Sequence, residues 1–247
     1  LGDVPDLGGR LVALYRRLDA PAALANMVRA ALLYREGGVY LDTDTVTVRS
    51  LRPLLDAGFF CGREHLCLPA EVAQSRHPVR WARAGLLLAL RDGLRRLPEG
   101  HRLFPYVARL YDTAPNNAVV GSAPGHRFLR ELLEAMVSLP EERQTVRFAL
   151  GTHLLTQRVA AYRGEGLVVH PPHVFYPLGP EISEHWFRSR RRADPAQALH
   201  PETRVVHWYA SVRTKVVVPR VDAGYVRRNA QAQLFSAFTN PAQVTPS

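Results

Sequence analysis

The sequence predicts an α/β protein built on a mostly parallel sheet flanked by helices. Short β-branched or aromatic runs alternate with helical patterns of apolar residues along its 247 residues, as in a chain that passes repeatedly between strand and helix. Glycines and turn residues punctuate the alternation. One stretch organises the rest: Gly37-Gly38-Val39-Tyr40-Leu41-Asp42-Thr43-Asp44 reads as a helix stop, a buried strand and two carboxylates at the strand's end. The ends of strands are where open α/β sheets bind ligands.

The elements follow in order. A Gly/Pro/Asp loop opens the chain and leads to an apolar helical stretch from Leu11 to Leu18. Asp19 is the expected N-cap of the next helix, with Pro21 in its first turn and Leu24, Val28, Ala31 and Leu32 as its apolar stripe; Asn26, Arg29 and Arg35 lie off that stripe. After the Tyr40 strand come an extended segment from Thr45 to Val48 and a second core strand at Phe59-Phe60-Cys61-Gly62. Residues 81–97 predict an amphipathic helix with Leu86, Leu87, Leu90, Leu94 and Leu97 on one side and Arg91, Asp92, Arg95 and Arg96 on the other. Asn116-Asn117 reads as a polar turn leading into a strand through Val120. A helix from Phe128 to Ser138 follows, then a helix opened by Gly151-Thr152 with Thr152 as its cap, a strand at Leu167 to His170, a loop carrying Phe175-Tyr176-Pro177, and a mobile basic run from Arg188 to Arg192. The last strand is Val205-Val206-His207-Trp208-Tyr209. The expected organisation is one domain over 1–247, with a disordered tail from about residue 239.

Composition narrows the class. The chain is 47% apolar and 22% charged, enough for an ordinary core. Lysine and arginine outnumber acids 32 to 22, a net charge of +10 carried almost entirely by arginine, which favours anionic partners and bidentate grip on phosphates. The arginines are scattered without regular aromatic interleaving, so nucleic acid is not an expected partner. Cys61 and Cys67 lack metal-ligand spacing and a disulfide framework, consistent with a reducing compartment. No apolar run reaches membrane-spanning length. The basic helix over 81–97 leaves peripheral contact with an anionic membrane surface as an expectation. A cytoplasmic location, peripheral at the inner face of the membrane, is the expectation.

No Walker-type loop, G-x-G-x-x-G, G-x-S-x-G or H-E-x-x-H occurs. The two aspartates therefore carry the sharpest chemistry. In an extended chain residues two apart face the same side, so Asp42 and Asp44 are expected to face one spot. Two close carboxylates call for a cation, and a hard divalent ion such as Mn²⁺ or Mg²⁺ suits them.

From Asn26-x-x-Arg29 through Leu33-Tyr34-Arg35-Glu36-Gly37-Gly38-Val39-Tyr40-Leu41-Asp42-Thr43-Asp44, the order of residues resembles retaining glycosyltransferases with a DXD sugar-binding region. The nearest groups are the fungal initiating α-1,6-mannosyltransferases and their bacterial relatives; the clostridial glucosylating toxins carry a similar block. Later blocks fit the same order: Asn117 to Ser122 with Pro124-Gly125-His126, Gly151-Thr152-His153, Phe175-Tyr176-Pro177, and His207-Trp208-x-x-Ser211.

The resemblance implies a GT-A-like fold with additional helices, a UDP- or GDP-sugar donor, and metal-dependent transfer of a hexose, with retention, to a glycan, lipid or small-molecule acceptor. It implies that Asp42 holds the ribose and sugar side of the donor, with Asp44 binding Mn²⁺ or Mg²⁺. Arg29 and Asn26 then meet the sugar hydroxyls, Tyr40 and Asn117 support the donor, and His207 or Ser211 completes the metal shell. The expected catalytic set is Asp42, Asp44 and Arg29, and the expected metal set Asp44, Asp42 and His207. Three departures stand out. Position 26 is Asn where relatives usually have Asp, Val212 replaces a Trp, and the first strand with its Ile-Trp segment has no counterpart after Leu1, so either the natural chain is longer or the base site is reduced. The alternatives are a non-catalytic protein that keeps the fold and binds anionic glycans or nucleic acid, and a nucleotide-sugar hydrolase.

Overall fold

Pro21 opens a helix because its fixed φ suits the first helical position, and Gly37 closes it. The Gly37 amide donates to Leu33 O at 2.9 Å, its φ is +69°, and a Cβ there would lie 2.7 Å from the Pro124 ring. Only glycine meets both demands. In this computed structural model, which describes residues 1–73, 75–146, 148–212 and 214–240, that helix is α2 (Pro21–Glu36), preceded by α1 (Gly8–Arg17). The strands are β1 (Gly38–Leu41), β2 (Thr45–Thr47), β3 (Phe59–Leu66), β4 (Asp112–Ser122), β5 (Leu167–His170) and β6 (Val205–His207).

The fold is mixed α/β. One four-stranded sheet has the order β1-β4-β3-β5, and a two-stranded sheet pairs β2 with β6. β1 runs antiparallel to β4, while β3 runs parallel to β5. The larger sheet is therefore mixed where a mostly parallel one was expected. Apolar alternation reports which face of a strand is buried, not which way its neighbour runs, and β4 returns beside β1 only after a long excursion of the chain.

The chain packs as two compact units. The first comprises Leu1–Asp42, Ser50–Arg63 and Ala114–His170. Its core gathers Leu11, Leu14, Met27, Phe59, Phe128 and Leu133 from α1, α2, β3 and the Arg127–Ser138 helix, with the Phe59 and Phe128 rings 4.4 Å apart. α2 is rotated from the expected stripe: Met27, Arg29, Ala30, Ala31 and Leu33 are buried, while Leu32 is exposed. The buried face includes a charge, which apolar periodicity does not register. Asp19 does not cap this helix either; the capping position is Ala20, without a side-chain bond. Asn116 and Asn117 lie inside β4 rather than in a turn, because Asn116 Oδ1 accepts the Ala118 amide at 2.7 Å and Asn117 finds a side-chain partner of its own.

The second unit comprises Thr43–Arg49, Glu64–Thr113 and the chain from Pro171. The Pro78–Arg96 helix buries Ala84, Leu87 and Leu94, whereas Leu86 is 73% exposed. Its basic side is partly consumed by structure: Arg91 Nη1 donates to Glu181 at 2.8 Å, and Arg95 pairs with Glu184. Arg190, expected in a mobile loop, has a side chain only 2% exposed; it donates to His185 O at 2.9 Å and to His101 Nδ1 at 3.3 Å. Of the tail expected to be disordered from about residue 239, Thr239 ends a helix over Leu234–Thr239, and residues 241–247 lie outside the described residues.

Three histidines of this unit are held neutral. Burial pulls His65 down to about 4. It pulls His185 to about 4 and His101 to about 3, with the Arg190 charge adding to the effect on His101. Protons therefore favour the unfolded chain, so stability is complete above the ordinary histidine value of about 6.5 and falls as the pH drops through it toward 4. Urea unfolding followed from pH 7.5 to 4.5 is expected to hold steady down to about pH 6.5 and then to lose up to about 1.4 kcal/mol per pH unit for each histidine kept neutral. A flat profile over that window would contradict it.

Candidate functional site

Asn26 and Arg29 are three residues apart on α2, so they share a face. That face meets β1 and β4. Arg29 Nη2 donates to Asp42 Oδ1 at 3.0 Å and to Tyr40 Oη at 3.2 Å, and Arg29 Nη1 donates to the Asn117 carbonyl. The guanidinium carbon lies 3.9 Å from the Tyr40 ring centroid, a cation–π contact. Tyr40 Oη donates to Asp42 Oδ1 at 2.8 Å. Burial, then the Asp42 bond, raises the Tyr40 phenol above its ordinary value, so it stays protonated and donating. Tyr40 and Asp42 thus face the same side of the strand, as alternation predicts.

Asn117 Nδ2 donates to Asn26 Oδ1 at 2.8 Å. Gly151 leaves room for the pair: a Cβ there would stand 2.6 Å from Asn26 Nδ2. The expected helix from Thr152 is interrupted here. A single helical turn covers Ala149–His153 and the regular helix starts at Leu154. A cavity of about 20 Å³ lies against Asn26, Arg29, Asn117 and Gly151. It is large enough for about one water and far too small for a sugar. The Asp42 carboxylate of this cluster is 29% exposed.

Thr43 and Asp44 form a turn between β1 and β2 rather than prolonging the strand. In the second unit, the Asp44 carbonyl accepts the Trp208 amide at 3.0 Å. Its Oδ2 accepts the Ala210 amide at 2.8 Å, and its Oδ1 lies 3.0 Å from His207 Nε2. The β2–β6 register, Thr45 opposite His207, brings these groups together. Burial works to raise the Asp44 carboxyl, but the hydrogen bond and charge of His207, with the Ala210 amide, outweigh it and hold the group below the ordinary carboxylate range. Tyr209 stands at φ +57°, a conformation costly for a non-glycine residue, and turns the chain so that Ala210 N–H reaches Asp44. Its hydroxyl donates to Glu64 at 2.9 Å. Ser211 is exposed one residue further on.

Asp44 Oδ1 and His207 Nε2 also fit a divalent ion. Two adjacent ligands on an octahedral ion with bonds of 2.0–2.1 Å lie about 3.0 Å apart, the separation observed here.

Sequence reasoning missed the parts of Gly151, Tyr176, Tyr209 and Glu64. The Tyr176 ring is buried 5.9 Å from that of His207, which sets Tyr176 of the Phe175-Tyr176-Pro177 block against His207. Glu64 and the Ala210 amide have no signal in the residue pattern, because a backbone donor is invisible in a sequence.

Fold and geometry together define an α/β protein with an arginine-braced carboxylate at the end of a strand and a histidine-paired carboxylate two residues on. Residues 5–60 match the family described as glycosyltransferase sugar-binding region containing DXD motif, the same kind of family that the residues from Asn26 to Asp44 resemble. The matched segment contains Asn26, Arg29, Tyr40, Asp42 and Asp44; Asn117 and His207 fall outside it and join through the contacts above. Neither a curated protein nor a solved structure matches the chain.

Removing the guanidinium strips Asp42, Tyr40 and the Asn117 carbonyl of a shared donor. Arg29→Met is expected to cost about 2 kcal/mol in urea unfolding, less than a fully buried ion pair because Asp42 keeps access to water. Arg29→Lys is expected to recover only part of this, since one ammonium lacks the planar fork that reaches all three partners. A loss below about 0.5 kcal/mol for Arg29→Met, the range of an ordinary surface change, would contradict the bracing role.

Proposed function

We propose that the chain is a GT-A-type, metal-dependent hexosyltransferase that transfers a sugar from a UDP- or GDP-hexose, with retention, to a glycan, lipid or small-molecule acceptor. The observation that carries this reading is Asp44, kept ionised and 3.0 Å from His207 Nε2 inside a region that matches a DXD glycosyltransferase family.

Asp44 and His207 are the proposed metal ligands. A mixed carboxylate–imidazole set favours Mn²⁺ over Mg²⁺, because Mg²⁺ prefers oxygen ligands. The ion, when bound, offsets the negative charge that develops on the departing diphosphate. Asp42, fixed by Arg29 and Tyr40, presents its carboxylate to ribose or sugar hydroxyls. Arg29 adds positive charge toward an anionic donor. Front-face retention needs no protein nucleophile, in keeping with a site made of carboxylates, an arginine and a phenol.

Asn26 is the proposed sugar-selective position. Its Oδ1 is engaged by Asn117, so the amide nitrogen is the group left to address a hydroxyl, where an aspartate would only accept. Within this reading the chain is akin to the fungal initiating α-1,6-mannosyltransferases and their bacterial relatives.

Among the described residues no helix is long and apolar enough to cross a membrane. We place the enzyme in the cytoplasm, with peripheral contact through the Pro78–Arg96 helix, where Val79, Trp81 and Leu86 are exposed on a helix that also carries Arg80 and Arg83.

The test is release of nucleoside diphosphate from UDP- and GDP-hexoses by the purified chain. Wild type is expected to turn over only with added Mn²⁺ or Mg²⁺. Asp44→Ala is expected to lower the rate by about 10²–10³-fold, with an unchanged circular dichroism spectrum. Undiminished turnover in a folded Asp44→Ala variant would end this assignment.

A further inference from the structure

We propose that His173, His200 and Glu202, none of them assigned to the donor, form a binding site for one zinc ion. Each can offer a ligand atom such that all three lie within 4.8 Å of one another. His173 Nε2 is 2.9 Å from Glu202 Oε2, and His200 Nδ1 is 3.7 Å from the same oxygen. Tetrahedral zinc, with bonds of about 2.0–2.1 Å to nitrogen and oxygen, sets its ligand atoms about 3.3 Å apart, so the two separations bracket the required value. Two imidazoles and a carboxylate are a ligand set that zinc takes with a water in the fourth position.

The backbone beneath the site is already locked. Thr203 is fully buried. Its hydroxyl donates to His173 O at 2.7 Å and accepts the His200 amide at 2.9 Å, so one side chain fixes both histidine-bearing segments. Arg49 Nη1 donates to Thr203 O at 2.7 Å, and the Arg204 amide donates to Val174 O at 2.9 Å. The two imidazole rings lie 4.2 Å apart, and all three side chains reach solvent, so an ion can enter. His200 Nδ1 accepts the Glu202 amide at 3.2 Å; metal ligation takes that lone pair, and the amide, on an exposed residue, turns to water.

Zinc here would tie the short Pro172–Phe175 helix to the turn that leads into β6. Those segments continue into Tyr176 and His207, whose rings pack together. The ion is thus a clip on the scaffold behind His207. This inference stands apart from the transferase reading and can fail without it.

The experiment titrates the metal-free full chain with Zn²⁺ by calorimetry, and with Co²⁺ by visible absorption. Wild type is expected to bind Zn²⁺ and to show the intense spectrum of tetrahedral Co²⁺. His173→Gln, at a half-buried position, and His200→Gln and Glu202→Gln, at exposed ones, are each expected to weaken Zn²⁺ at least about tenfold and to abolish the tetrahedral spectrum. The Asp44→Asn, His207→Gln double variant is expected to keep both signals. Zinc affinity that survives the three ligand changes, or that disappears with the Asp44→Asn, His207→Gln pair, would overturn the proposal, as would a purely six-coordinate Co²⁺ spectrum in the wild type.

Discussion

The buried guanidinium of Arg29 is the contact on which the first unit's chemistry depends. A charge that is 8% exposed carries a desolvation penalty of several kcal/mol, and it persists only where partners satisfy it. Here the partners come from two different strands: Tyr40 and Asp42 from the β1 end, and the Asn117 carbonyl from β4. The same interaction that makes the arginine tolerable therefore fixes the position of Asp42. It also dictates local sequence. Asn117 must present its carbonyl to Arg29 and its amide to Asn26, and residue 151 must lack a side chain.

The second unit solves a parallel problem with different parts. Asp44 sits in a turn, where an aspartate alone is an ordinary solvated residue. The β2–β6 pairing sets His207 against it, and the strained backbone at Tyr209 adds an amide from Ala210. Strain of this kind survives where the surroundings over-determine it. The Tyr209 ring, tilted against His207 with centroids 4.0 Å apart and bonded through its hydroxyl to Glu64, supplies that constraint. The two carboxylates of one short motif are thus held by unlike devices, one by an arginine and a phenol, the other by an imidazole and a main-chain amide.

Much of this was legible in the residues, for identifiable reasons. Gly37-Gly38 announced the helix end because a positive φ leaves a mark in composition, and β5 was read to the residue because β-branched runs bounded by Gly and Pro are unambiguous. The α2 face was misread because an arginine was buried on it. The Asn116-Asn117 step was misread because asparagine favours turns unless its side chain finds partners, and those partners come from Ala118 and from α2. Sheet direction was misread because it is decided by where the chain returns, which no local pattern records. Of the candidate site, Asn26, Arg29, Tyr40, Asp42 and Asp44 stand in one contiguous block of sequence, and the structure adds which of them touch one another. The braces supplied by Gly151, Tyr176, Glu64 and the Ala210 amide were not legible, because they act through shape, ring contact and main chain.

The central claim is that this chain binds a nucleotide sugar together with a divalent ion. Thermal unfolding of the purified protein, measured across UDP- and GDP-sugars with and without Mn²⁺, tests it most directly, since a ligand that binds only the folded state raises the midpoint. The account predicts a rise for one donor class only when sugar nucleotide and Mn²⁺ are both present. An unchanged midpoint for every donor in the presence of Mn²⁺ would contradict it.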